Sequence, residues 1–170
     1  MTEIILAIDD VPAVMTQLPA ELRNGNCGII YEDGRLVVLD PNVAATVRKA
    51  ADNLDKGRRQ YLKGHASRVR KQRLADGIVN VNGDNYRTDN ETRSHLVMTL
   101  MAAERNPSKK FFFESIDGPV ELSALDLEKV LEAVTNFVEK CHAVEATLSK
   151  RIDQGGASSK DIEAAAWPRS

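Results

Sequence analysis

His65, His95 and His142 are the only imidazoles in the chain, and Cys27 and Cys141 are the only thiols. Nucleophilic or zinc chemistry would have to set one of these beside a hydroxyl, a carboxylate or another ligand in fixed geometry. Cys141 and His142 are sequence neighbours. On a helix neighbouring side chains point about 100° apart, so the two do not form a thiol–imidazole pair. Cys141 also falls on an apolar helical stripe, where a buried thiol behaves as a small hydrophobe. Neither cysteine has a CxxC partner, so the sequence holds no disulfide framework and no zinc spacing.

Two groups of carboxylates invite a metal reading: Asp9-Asp10, and Asp84 with Asp89 and Glu91. Asp84 and Asp89 flank a turn and a helix start, where Asx residues serve the backbone, and the spacing fits no calcium loop. No GxGxxG, Walker A, GxSxG or HExxH pattern occurs. The expectation is a non-enzymatic protein with no catalytic, metal or cofactor-binding residues and no cofactor.

The one lopsided stretch is basic. Lys56, Arg58, Arg59, Lys63, Arg68, Arg70, Lys71 and Arg73 carry positive charge with no acidic residue among positions 56–73. Such a run can contact phosphates of a nucleic acid, dock on an acidic protein surface, or simply face solvent. The 170-residue chain has 23 Lys and Arg against 25 Asp and Glu, for a net charge of −2, so everything outside the run is acidic and would repel a duplex. Tyr61 alone interleaves an aromatic ring, which is no stacking platform. Nucleic acid is therefore the disfavoured reading, against a solvated helix face or a dock on an acidic protein surface.

The elements that must carry these residues are marked by turns. Asp33-Gly34, Asn82-Gly83 and Asp117-Gly118 each separate two apolar or β-branched runs, the strongest short-range hairpin signal. Two-residue loops would set Tyr31 opposite Leu36, Val79 opposite Tyr86 and Phe113 opposite Leu122. Glu3 to Ile8 suits a further strand, Pro12 and Pro19 bound an irregular connection, and Asp40-Pro41 marks a boundary. From 42 to 74 the helical pattern is thin. Val47, Leu54 and Tyr61 sit seven apart, and Gly57 and Gly64 each cost about 1 kcal/mol relative to alanine. That seam suits self-association of the helix with another copy.

Thr88 and Glu91 have capping-box spacing ahead of a helix whose face is Leu96, Leu100 and Ala103, with Val97 and Met101 beside it. Ser123 and Asp126 cap a long helix, with Leu127, Val130, Leu131, Val134, Phe137, Val138, Cys141, Val144, Leu148 and Ile152 on its apolar face. Thirty helical residues span about 45 Å, so one end is expected to project or to pack on a partner. Ser158-Ser159 can start a last short helix running to Trp167. The fold class read from this order is α+β. A β-rich module occupies 1–41, a basic helical connector 42–76, and an α+β domain 77–170.

Composition excludes several classes. With 42% hydrophobic and 28% charged residues the chain is ordinary for a water-soluble protein, and 5% aromatics imply an aliphatic core. No apolar run approaches the ~20 residues of a membrane helix, so no membrane partner is expected. The start lacks a basic flank and Asp9-Asp10 cuts its apolar stretch short, which speaks against a cleaved secretory signal.

Val81-Asn82-Gly83-Asp84-Asn85-Tyr86-Arg87-Thr88-Asp89, the helix from Arg93-Ser94-His95-Leu96, and Glu121-Leu122-Ser123-Ala124-Leu125-Asp126-Leu127 leading to Leu148-Ser149-Lys150-Arg151-Ile152 share an order and spacing. Over about residues 73–167 this resembles an uncharacterised domain family of tailed phages and prophages, whose members are tail-fibre, baseplate or other tail-associated proteins. Phe111-Phe112-Phe113 stand where that family commonly has Trp, a change within aromatic packing. The resemblance implies a virion protein of the tail, made in the host cytoplasm, working by protein–protein contact in a homo-oligomer such as a trimer and with other tail proteins. It implies no catalytic residue. Two alternatives stay open: a tail-fibre assembly chaperone not retained in the virion, and a nucleic-acid binder using 56–73.

Overall fold

A computed structural model describes residues 2–5, 10–23, 29–32 and 35–169. The element order is β1 (Thr2–Ile5), α1 (Val11–Gln17), α2 (Ala20–Arg23), β2 (Ile29–Glu32), β3 (Arg35–Val38), α3 (Pro41–Asp52), α4 (Leu54–Asp76), β4 (Ile78–Val81), β5 (Asp84–Arg87), α5 (Asn90–Arg105), β6 (Phe111–Ser115), β7 (Gly118–Leu122), α6 (Ala124–Asp153) and α7 (Ser159–Glu163). Helices and antiparallel sheets are mixed without βαβ crossovers, so the class is α+β.

Two compact units emerge. One comprises the residues up to His65 with Lys150–Ser159, and the other Ala66–Ser149 with the chain from Lys160 onward. The helices α4 and α6 each contribute to both. The N-terminal unit therefore extends well past residue 41, because α3 packs into it.

In the first unit a three-stranded sheet in the order β1-β3-β2 lies with α1 and α3. Tyr31 pairs with Leu36 as the turn chemistry dictates, while the turn residues Asp33-Gly34, and Asp9 and Cys27, lie outside the described residues. Val14, Leu18, Leu36, Val38 and Val47 form the core. The connection expected to be irregular is helical. Pro12 sits in the first turn of α1, where its missing N–H costs nothing. The expected single helix over 42–74 is two, α3 ending at Asn53. Gln17 Nε2 donates to the backbone oxygens of Ala50 at 2.9 Å and Asn53 at 3.2 Å, adding a second donor to carbonyls that already accept from Asn53 N–H and Gly57 N–H and tying α1 to the end of α3. Gly57 lies against α1, where a Cβ would come 2.3 Å from the Ala13 carbonyl oxygen. Its helix-weakening cost thus permits a close backbone approach.

In the second unit the β4–β5 and β6–β7 hairpins stand side by side. Ile116 N–H donates to Asn85 O at 2.8 Å, and Asn85 Nδ2 to Asp117 Oδ2 at 3.0 Å. Both hairpins pack with α5 and α6 around Tyr86, Leu96, Phe113, Leu127, Val130 and Val134. Full burial of each such aliphatic side chain contributes about 1.5–3 kcal/mol. Asn82 and Gly83 both take positive φ and Val79 pairs with Tyr86, as expected. The third hairpin departs from expectation. Phe113 pairs with Val120, and Leu122 with Phe111, because the loop is Ile116-Asp117 and Gly118 is the first residue of β7, at φ 127°. Ser115 Oγ donates to Gly118 O at 2.8 Å and accepts from Asp117 N–H at 3.1 Å, holding the two-residue loop one position earlier than expected.

The cap of α5 is likewise one residue later than its spacing suggests. Asp89 accepts from Thr92 N–H at 2.8 Å, and Thr88 is buried, donating its hydroxyl to Leu74 O at 2.9 Å. The cap of α6 is the expected one. Ser123 Oγ accepts from Asp126 N–H at 3.2 Å and donates to Asp126 Oδ2 at 2.6 Å. The donating Ser123 hydroxyl, and after it the Ser123 N–H at 3.3 Å from the same oxygen, hold the Asp126 carboxyl below the usual carboxylate range. At its far end α6 stops where Gly155 adopts φ 75°. The terminal helix ends at Glu163, short of Trp167, whose buried indole N–H donates to Ile162 O at 2.8 Å.

Candidate functional site

The seam read from the seven-residue spacing is used inside the first unit. Val47 is fully buried in the core, Leu54 packs against that core, and Tyr61 is half-buried with its ring 6.4 Å from that of His65. Spacing alone does not say what covers a stripe. Here α1, the sheet and α3 itself cover Val47, so it is not open to a second copy.

Several of the basic residues are engaged by the fold. Arg58 Nη2 lies 2.5 Å from the buried Asp10 carboxylate, and its Nε donates to the same oxygen at 2.7 Å. Lys63 Nζ pairs with Asp153 at 2.7 Å. Arg70 Nε lies 2.8 Å from Glu145 Oε2, with both side chains largely buried, and its Nη1 is 3.4 Å from His142 Nε2. Lys56, Arg59, Arg68, Lys71 and Arg73 have exposed side chains. The run is thus partly an internal ion-pair scaffold and not a continuous phosphate track.

Asp89, Glu91 and His95 share one cleft, while Cys141 and His142 lie on α6. Cys141 is fully buried beside Leu74 and Phe137, and burial pushes its thiol up against the opposing pull of Arg70 and Arg73. His142 is exposed on the same helix. Of the carboxylates, Asp89 is spent on the α5 cap. Among the described residues no group of three or more His, Cys, Asp or Glu is placed to hold a metal.

What the structure does assemble lies on and beside α5. Its inner side sinks Leu96, Thr99 and Ala103 into the second core. That leaves Val97, Met98 and Met101 45%, 68% and 54% exposed on the outer side. At its first turn a cleft of about 390 Å³ opens between Arg87, Asp89, Glu91, Thr92, His95 and the β6 end at Phe113–Ile116. The His95 ring rests on Phe113 with centroids 4.8 Å apart, and Phe113 in turn lies 6.1 Å from buried Tyr86. A rigid aromatic stack therefore supports the first half of the helix. The cleft is polar, and the Ser115 hydroxyl in its lining is committed to Gly118 O and Asp117 N–H, whereas the outer face offers contiguous apolar surface.

A second exposed ring, Phe112, stands 75% exposed because strand alternation sends Phe111 and Phe113 inward and Phe112 outward. Sequence reasoning placed Val97 and Met101 beside the core face and did not single out Met98. A signal was present: positions 96–103 are apolar save Thr99, so α5 is greasy nearly all round, more than one core can cover.

No helix among the described residues is long and apolar enough to cross a membrane. No curated protein and no solved structure matches the chain. Residues 58–166 match a family model described as a domain of unknown function, DUF4376. That match takes in most of α4 and all of the second unit's hairpins, α5 and α6. Spanning well over half of the sequence, it shows that the chain belongs to the DUF4376 family.

Proposed function

We propose that this protein is a non-enzymatic component of a phage tail, in a tail fibre or baseplate, that works through protein–protein contact. The observation that carries the reading is the outer face of α5, where three large apolar side chains remain exposed on a helix anchored from behind by a well-packed core. Helix faces of this kind bind by burying apolar area in a partner's groove or against a partner's helix. Methionines suit that task, since their unbranched side chains adapt to the surface they meet. The tail setting is supported by the resemblance carried by residues 73–167. Engagement of Arg58, Lys63 and Arg70 with carboxylates weakens the nucleic-acid alternative. The test is mass spectrometry of purified phage particles. Stoichiometric presence of the chain supports the structural role. Absence from particles, with co-purification of a fibre protein from lysed cells, would replace it with the assembly-chaperone role.

A further inference from the structure

Resting on that reading of α5 as a contact surface, we propose that its outer face seats a second copy of this chain, with the two α5 helices antiparallel about a twofold axis at Met98. The stripe running Glu91, Ser94, Met98, Met101, Arg105 repeats at intervals of three and four residues, the spacing of a two-helix seam. Every one of these residues is exposed, as are His95 and Ala102 beside them. At 100° per residue all seven fall within about 60° of Met98 around the helix axis.

A twofold interface must be self-complementary: whatever one copy presents at one end, it must receive at the other. Reversing α5 about Met98 meets that condition chemically. Glu91 of one copy comes beside Arg105 of the other, and Ser94 beside Ala102, two small residues that let the backbones approach. His95 comes beside Met101, a thioether–aromatic contact, and Met98 meets Met98 on the axis. Among the described residues neither Glu91 nor Arg105 has an ion pair of its own, so both are available to the partner. A parallel pairing would set Glu91 against Glu91 and Arg105 against Arg105, and the antiparallel arrangement also aligns opposite helix dipoles. One helix pair buries less than a standard interface, so a weak, concentration-dependent association is expected.

Sedimentation equilibrium of the full chain over about 1 to 300 µM tests this, a span wide enough to follow a weak equilibrium. A monomer–dimer equilibrium is expected, abolished by Met98→Lys. Glu91→Arg should raise the dissociation constant about fivefold or more, and adding Arg105→Glu should bring it back to within about twofold of the parent, since only the swapped pair restores attraction. In a Cys27→Ser background Met98→Cys should cross-link to itself under mild oxidation. Glu91→Cys, about 10 Å along the helix from the axis, should not. A monomer at every concentration, a dimer indifferent to Met98→Lys, or a double charge swap that fails to restore affinity would each overturn the proposal. A monomer would leave the tail assignment to be judged on the particle measurement alone.

Discussion

Gly77 follows the last residue of α4, where a glycine would ordinarily be read as a left-handed helix cap, yet its φ is not positive. What the position requires is space. A Cβ there would lie 2.2 Å from Thr88 Oγ1 and 2.5 and 2.7 Å from two ring carbons of Phe137. Thr88 is fully buried and bound on both sides: its N–H donates to Gly77 O at 3.0 Å and its hydroxyl to Leu74 O at 2.9 Å. Phe137 is 6% exposed, so neither neighbour can swing into solvent. Gly77→Ala therefore forces overpacking, about 1–3 kcal/mol. It also displaces a buried hydroxyl from its acceptor, a further loss of about 1–3 kcal/mol. The stiffer unfolded chain returns only about 0.4–1 kcal/mol. The net expectation is a loss of about 3 kcal/mol. Trp167, the sole tryptophan, is buried in the same unit, so urea unfolding followed by its fluorescence reads this change directly. Combining Gly77→Ala with Phe137→Leu should cost at least about 1 kcal/mol less than the sum of the two single changes. A variant within about 0.5 kcal/mol of the parent, or equal tolerance of Gly77→Asn, would refute the steric account and restore the helix-cap one.

Three further outcomes are expected. Gly57→Ala should lower the melting temperature even though alanine favours a helix by about 1 kcal/mol, because its Cβ meets the Ala13 carbonyl at 2.3 Å; a rise would refute the close approach. Asp126, whose folded carboxyl titrates below its unfolded value, adds stability above about pH 4 that is lost as pH falls through the folded value. The gap in melting temperature between the parent and Asp126→Asn should therefore shrink on acidification, measured by calorimetry across that range. In a Cys27→Ser background the buried Cys141 should react with an aromatic disulfide far more slowly in the native chain than in urea, and equal rates would contradict its burial.

Local chemistry was legible in the chain wherever neighbours along it suffice. Asn82-Gly83 specifies a positive-φ turn and with it the pairing of Val79 with Tyr86, and Ser123 with Asp126 closes the cap of a thirty-residue amphipathic helix. The α+β class follows from the same local signals. Asp117-Gly118 was ambiguous because an Asx-Gly pair serves two turns, one with the pair as its loop and one with the glycine just beyond. The contact from Ile116 to Asn85 in the other hairpin favours the second, and no periodicity reports it. The same limit explains the seam at Val47 and the surface on α5. A stripe of apolar residues says that something must cover it, not what does. Burial of Val47 and exposure of Met98 were decided only when distant segments, α1 for one and the paired hairpins with α6 for the other, took up positions that a sequence period cannot encode.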